Sequence, residues 1–158
     1  MVRRQDDCPW ATGRTIMAGN RCRGGTEAMQ VIQWHDGLNV GMAFMDADHA
    51  EAASQINALA AAGAAGRVPL MRHFIAHCRE HFAREEAMMK QTGFFAFACH
   101  RDEHERVLAE LSTVLAGLEA GEAQESYFTQ ALPSWLMNHR STMDFVTAEF
   151  ASSAGFKG

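Results

Sequence analysis

From Met29 onward the apolar residues recur with a helical period, and almost nowhere with the period of two that a strand requires. Four amphipathic segments stand out. The first is expected from about Asp46 to about Ala62, where alanines favour helix and the glycines from Gly63 to Gly66 end it. The second opens near Pro69, a residue suited to a first helical turn, and runs to about Gln91, with Gly93 as its stop. The third spans about Phe95 to Leu118; His100, His104, Leu108, Leu111, Leu115 and Leu118 recur at steps of three and four and form one stripe, which Gly121 breaks. The fourth covers about Gln124 to Ala151, with Phe128, Leu132, Trp135, Leu136 and His139 on one face. Pro133 inside it predicts a kink or a start delayed to Ser134. Helices joined by short connections predict an all-α, up-down-up-down antiparallel four-helix bundle. Residues 1–28 lack sustained periodicity and are glycine-rich and polar from Gly19 to Thr26, which predicts a disordered N-terminal arm before a single domain at 29–158.

Composition narrows the class of partner. The chain has 158 residues, 47% apolar and 21% charged, enough for one core without disulfide staples. A net charge of -5 with no Lys/Arg run argues against nucleic acid or an anionic membrane surface. No apolar run is long enough to span a bilayer, and the basic amino terminus lacks the apolar stretch of a signal peptide. Cys8, Cys22, Cys78 and Cys99 show neither CxxC nor regular spacing, which suits a reducing cytoplasm better than a disulfide framework. The 10 Met read as core filler. The 8 His stand against a single Tyr and ask for another explanation, because neutral imidazole is the commonest metal ligand.

Those histidines fall into pairs. His81 and Glu85 on the second helix, and His100 and His104 on the third, are four apart, so each pair projects from one face one turn apart. His139 and Asp144 on the fourth are five apart; in a regular α-helix they flank the inward face rather than sharing one line. His49 sits near the start of the first. Any one pair is weak evidence, since isolated HxxxH pairs often lie on solvated faces. Together, however, all four helices supply an inward candidate. Five imidazoles and two carboxylates on one bundle axis are costly to bury unpaired, and a cation removes that cost. Calcium and magnesium want oxygen, and structural zinc wants a compact set of four ligands, so a histidine-rich set with few carboxylates suits iron, copper, nickel or zinc. Seven ligands exceed one ion and fit two sharing bridges. The ferritin-like pattern needs Glu-x-x-His twice, and the chain has none.

The chain resembles the bacterial hemerythrins. The resemblance is carried by Trp34…Asn39-Val40-Gly41, by Asp46-x-x-His49, by His81-Phe82-x-x-Glu85-Glu86-x-x-Met89, by His100-x-x-x-His104, and by Trp135-Leu136-x-x-His139-x-x-x-x-Asp144, and it covers residues 29–158. It implies two non-haem irons with an oxo or hydroxo bridge: His100, His104 and His139 on one iron, His49 and His81 on the other, Glu85 and Asp144 bridging. It also implies that dioxygen, the partner, takes the open position on the His49/His81 iron, in a pocket lined by Phe82, Trp135 and Leu136. Arg140 stands where the family usually has Ile. At 100° per residue Arg140 falls in the arc between His139 and Asp144, so it is expected either to reach the open position or to turn outward to a carboxylate. His35 reads as a surface or packing residue; His73 and His77 continue the second helix's stripe, either as packing residues or as outer hydrogen-bond donors to the site or a secondary metal site. The function this implies is reversible dioxygen binding for storage, delivery or sensing rather than catalysis; the alternative is a di-iron enzyme reducing nitric oxide or peroxide.

Overall fold

The computed structural model describes residues 30–157. Three long helices, α1 (Ala43–Ala61), α2 (Ala64–Thr92) and α3 (Phe97–Glu119), are followed by a fourth helical arm over 125–153. That arm holds α4 (Leu132–His139) and α5 (Phe145–Ser153), with π-helical turns at Tyr127–Ala131 and Arg140–Asp144. The architecture is the expected four-helix bundle, with the main core of Ile56, Leu59, Met71, Phe74, Leu111, Phe128 and Leu132 at one end. No helix among the described residues is long and apolar enough to cross a membrane. The arm expected over residues 1–28 lies outside the described residues.

Glycine ends two helices as expected. Gly93 (φ 69°) and Gly121 (φ 89°) take the left-handed conformation, and the next residues reach back, Phe94 N–H to Met89 O at 2.9 Å and Glu122 N–H to Gly117 O at 2.9 Å. These bonds satisfy carbonyls that the helix end leaves open. At the other end of α1, Asp46 fastens the incoming loop: its carboxylate accepts Val40 N–H at 2.6 Å and Gly41 N–H at 3.2 Å.

Two boundary expectations are corrected. α2 starts at Ala64 rather than near Pro69, so Gly66 lies inside it and Pro69 one turn in. The reason is Arg67, a residue with no part in the apolar pattern. It is buried at 3% exposure. Its guanidinium donates to Leu59 O at 3.0 Å, Ala60 O at 3.5 Å and Ala123 O at 2.6 Å, pairs with Glu125 at 2.6 Å, and lies over the Phe128 ring. It thus caps the C-terminal end of α1, which lets α2 begin after a two-residue connection. Arg67→Met should therefore destabilise the bundle by about 3 kcal/mol, the penalty of leaving buried carbonyls without donors. Urea unfolding measures it, and a change within experimental error would contradict the capping role. The second correction concerns Pro133. The start is not delayed to Ser134, because helical backbone runs from 125 through the proline; the π turn before it, closed by Leu132 N–H to Tyr127 O, accommodates the ring.

The cysteines also depart from the reading of their spacing. Cys78 is a buried free thiol, pushed up to about 12 by burial, but Cys99 is disulfide-bonded.

Candidate metal centre

His49 comes from α1, His81 and Glu85 from α2, His100 and His104 from α3, His139 from α4, and Asp144 from the π turn that follows. All seven meet inside the bundle, none more than 5% exposed. They form two groups with metal-binding spacing, Glu85/His100/His104/His139/Asp144 and His49/His81/Asp144, and Asp144 belongs to both. Its two oxygens divide the work. Oδ1 faces His100 Nε2 at 3.2 Å and His139 Nε2 at 3.1 Å, while Oδ2 faces His49 Nε2 at 3.0 Å. Glu85 spans the same divide from the opposite wall, with Oε1 3.6 Å from His100 Nε2, and Oε2 3.3 Å from His104 Nε2 and 3.7 Å from His81 Nε2.

The last pair depends on the π turn. In a π-helix, residues five apart stack as residues four apart nearly do in an α-helix. His139 and Asp144 therefore share one line rather than flanking it, and that line is the inward one. The same turn overturns the angular placement of Arg140. Its guanidinium donates to the carbonyl of Leu38, in the loop before α1, and does not line the central cavity. No ion pair of Arg140 is found among the described residues.

The outer nitrogens explain why the inner ones converge. His81 Nδ1 bonds Asp48 Oδ2 at 3.0 Å, His100 Nδ1 bonds Thr147 Oγ1 at 3.0 Å, and His104 Nδ1 lies 3.3 Å from Glu86 Oε1. Thr147 gives its own proton to Met143 O at 2.9 Å, so it accepts from His100. With Nδ1 carrying the proton, each Nε2 presents a lone pair to the centre. Asp48, Thr147 and Glu86 were not assigned these roles from sequence. Asp48 directly precedes His49 and therefore points about 100° away from it, toward α2, a direction that means nothing until His81 is in place.

The set is unsatisfied as it stands. Both Glu85 oxygens, both Asp144 oxygens, His49 Nε2 and His104 Nε2 are buried without hydrogen-bond partners, and His100 Nε2 faces His139 Nε2 at 3.2 Å. Protons on His81, His100 and His104 do not supply the missing charge. Burial holds His81, His100 and His104 below the ordinary histidine range, which keeps them neutral. Burial and then the neighbouring Asp144 carboxylate push Glu85 well up. Burial also works to raise Asp144, but the imidazoles that face it, His139 first and then His100 and His49, outweigh burial and hold Asp144 well down. Lone pairs and carboxylates that converge, are buried and lack donors fit cations.

A cavity of about 20 Å³ opens beside His49, His81, His139 and Asp144. Its walls include Phe82, Trp135 and Leu136, together with Ala52, Phe74 and Cys78. Phe82 stacks on His104 at 3.9 Å between ring centroids, and Trp135 stacks on His139 at 4.9 Å. His77 sits at the rim with Nε2 3.1 Å from Asp48 O; His73 and His35 are exposed, and none of these three belongs to the two groups.

The chain is similar to known proteins. Residues 40–151 match the family model described as the hemerythrin HHE cation binding domain. A bacteriohemerythrin of Ralstonia nicotianae is 37% identical over 128 residues, which cover 80% of this chain and 93% of that protein. A bacteriohemerythrin of Stenotrophomonas maltophilia is 28% identical over 70% of this chain and 75% of its own. A crystal structure of a hemerythrin leucine-to-alanine mutant superposes with a TM-score of 0.72 at 24% identity, over 78% of this chain and 99% of that one, which bears on the fold alone. The chain belongs to the hemerythrin family.

Proposed function

We propose that residues 29–158 hold two non-haem iron ions and bind dioxygen reversibly between them and the cavity wall. His100, His104 and His139 would hold one iron, His49 and His81 the other, and Glu85 and Asp144 would bridge. A pair of ferrous ions supplies two electrons to oxygen together. The observation that carries this reading is the asymmetry of the centre: the apolar cavity touches all of the His49/His81/Asp144 group, the one with fewer protein donors, but of the other group only His139 and the shared Asp144, leaving His100, His104 and Glu85 behind it. A small neutral molecule has room there, since about 10–15 Å³ of such volume already admits a water. Phe82, Trp135 and Leu136 keep the place dry, which favours release of neutral dioxygen over loss of a reduced, charged species.

The expected result is about two irons per chain by metal assay, as the two ligand groups predict. The anaerobically reduced, nearly colourless protein should gain a visible band in oxygen and lose it under vacuum, through repeated cycles without a reductant. One iron or none, or a band that does not reverse, would remove the proposal.

A further inference from the structure

His81, in the cavity-side group, is tied through one carboxylate to a half-exposed guanidinium. Asp48 is nearly buried, and a single oxygen, Oδ2, takes both the Nδ1–H of His81 at 3.0 Å and an N–H of Arg84 at 2.5 Å. Arg84 is half-exposed, its side chain 51% accessible, and it lies over the Phe44 ring at 5.7 Å. Among the described residues, no other imidazole of the centre has a carboxylate that is itself hydrogen-bonded to a guanidinium. His100 leans on a neutral hydroxyl, His104 on Glu86 at the longer distance of 3.3 Å, and the Nδ1 atoms of His49 and His139 are buried without a partner.

We propose that Arg84 and Asp48 are positioning residues that set, through His81, how electron-rich the oxygen-binding side of the centre is. This rests on the di-iron reading above. An anionic acceptor on Nδ1–H makes the imidazole a stronger donor at Nε2. A guanidinium on the same oxygen draws charge away from it, because charge-assisted bonds to a shared acceptor compete. The two residues therefore act with opposite sign. Oxygen binding moves electron density from the irons to oxygen, so a stronger donor favours the oxygenated form and a weaker one favours release. Because Arg84 is half-exposed, anything that binds the guanidinium from solvent acts on this balance from outside.

The test uses the iron-loaded full chain in two variants. Asp48→Asn keeps an acceptor for His81 but removes the charge. Oxygen affinity should fall about tenfold, the lower end of what loss of an outer partner brings, and the reduction potential of the centre should rise. Arg84→Gln removes the competing cation. Affinity should rise by about threefold, as expected for a half-exposed and partly screened charge, and the potential should fall. Both are read by oxygen titration and by spectroelectrochemical titration, with iron per chain as a separate readout. Opposite displacements support the proposal. Displacement in the same direction would mean mere structural disturbance and would overturn it, as would unchanged potentials in both variants. If Asp48→Asn does not load iron, Arg84→Gln decides alone, and an unchanged potential overturns it. A parent chain that neither loads iron nor oxygenates would instead remove the functional reading beneath it.

Discussion

Asp144→Asn should leave less than one iron bound per chain, whereas His104→Ala should lose one iron and keep the other. The difference follows from Asp144 belonging to both ligand groups while His104 belongs to one. Asp144 is fully buried and is the residue whose two oxygens face opposite sides of the centre. Asparagine keeps the shape, so packing and the π turn survive, but the anion shared by both cations is gone. Loss of an outer partner already weakens metal binding roughly 10–100-fold, and loss of a shared anionic ligand exceeds that. Metal analysis after desalting, with circular dichroism to confirm the fold, measures the outcome. Two irons retained in Asp144→Asn with an unchanged oxygenated spectrum would contradict the bridging assignment.

The second large effect concerns the chain stripped of iron. It should unfold at a markedly lower temperature than the loaded chain, and its stability should fall further as the pH drops below about 6.5. Metal that binds only the folded state stabilises it, which accounts for the first part. The sign of the second follows from the histidines. His81, His100 and His104 have folded pKa values below their ordinary 6.5, so under 6.5 the unfolded chain takes up protons that the folded chain refuses. Stability then declines with falling pH by about 1.4 kcal/mol per pH unit for each group fully in this regime. Glu85 works the other way. Its folded value lies above 4.5, so between 4.5 and that value the folded chain holds a proton that the unfolded chain gives up. Three groups against one leave the histidines dominant on the acid side of neutrality. Thermal unfolding of the chelator-treated chain from pH 7.5 to 5.5 tests this. A midpoint that stays level or rises toward pH 5.5 would show that the histidines are not held neutral.

Much of the centre was readable because its pairs sit four apart. His81 with Glu85 and His100 with His104 share a face in any α-helix, so spacing alone aims them together. His139 with Asp144 was readable as a candidate pair but not as geometry. The π turn that aligns them leaves no mark in the apolar pattern, and neither alternative for Arg140, inward to the open position or outward to a carboxylate, anticipates that its guanidinium holds the loop at Leu38. Arg67 was illegible for a different reason. A lone arginine near a predicted helix start looks solvated, and only the converging ends of α1 and the fourth arm show that it has buried carbonyls to satisfy. Asp48 carried no signal of its own, because its partner lies 33 residues away on another helix.

The two π turns bear on how the chain's length relates to its shape. Each closes its ring one residue wider than an α-turn, so the fourth arm carries two residues that add almost nothing to its rise. One lies just before Pro133 and the other between His139 and Asp144, at the two places where a regular helix would misplace a ring or a ligand. Among the described residues, sequence spacing and spatial spacing are therefore uncoupled in this arm alone. A homologue with four residues between the same histidine and aspartate, or with three, can present the same pair to the same metal. An alignment that opens a gap there would be marking a turn of different width rather than the loss of a ligand.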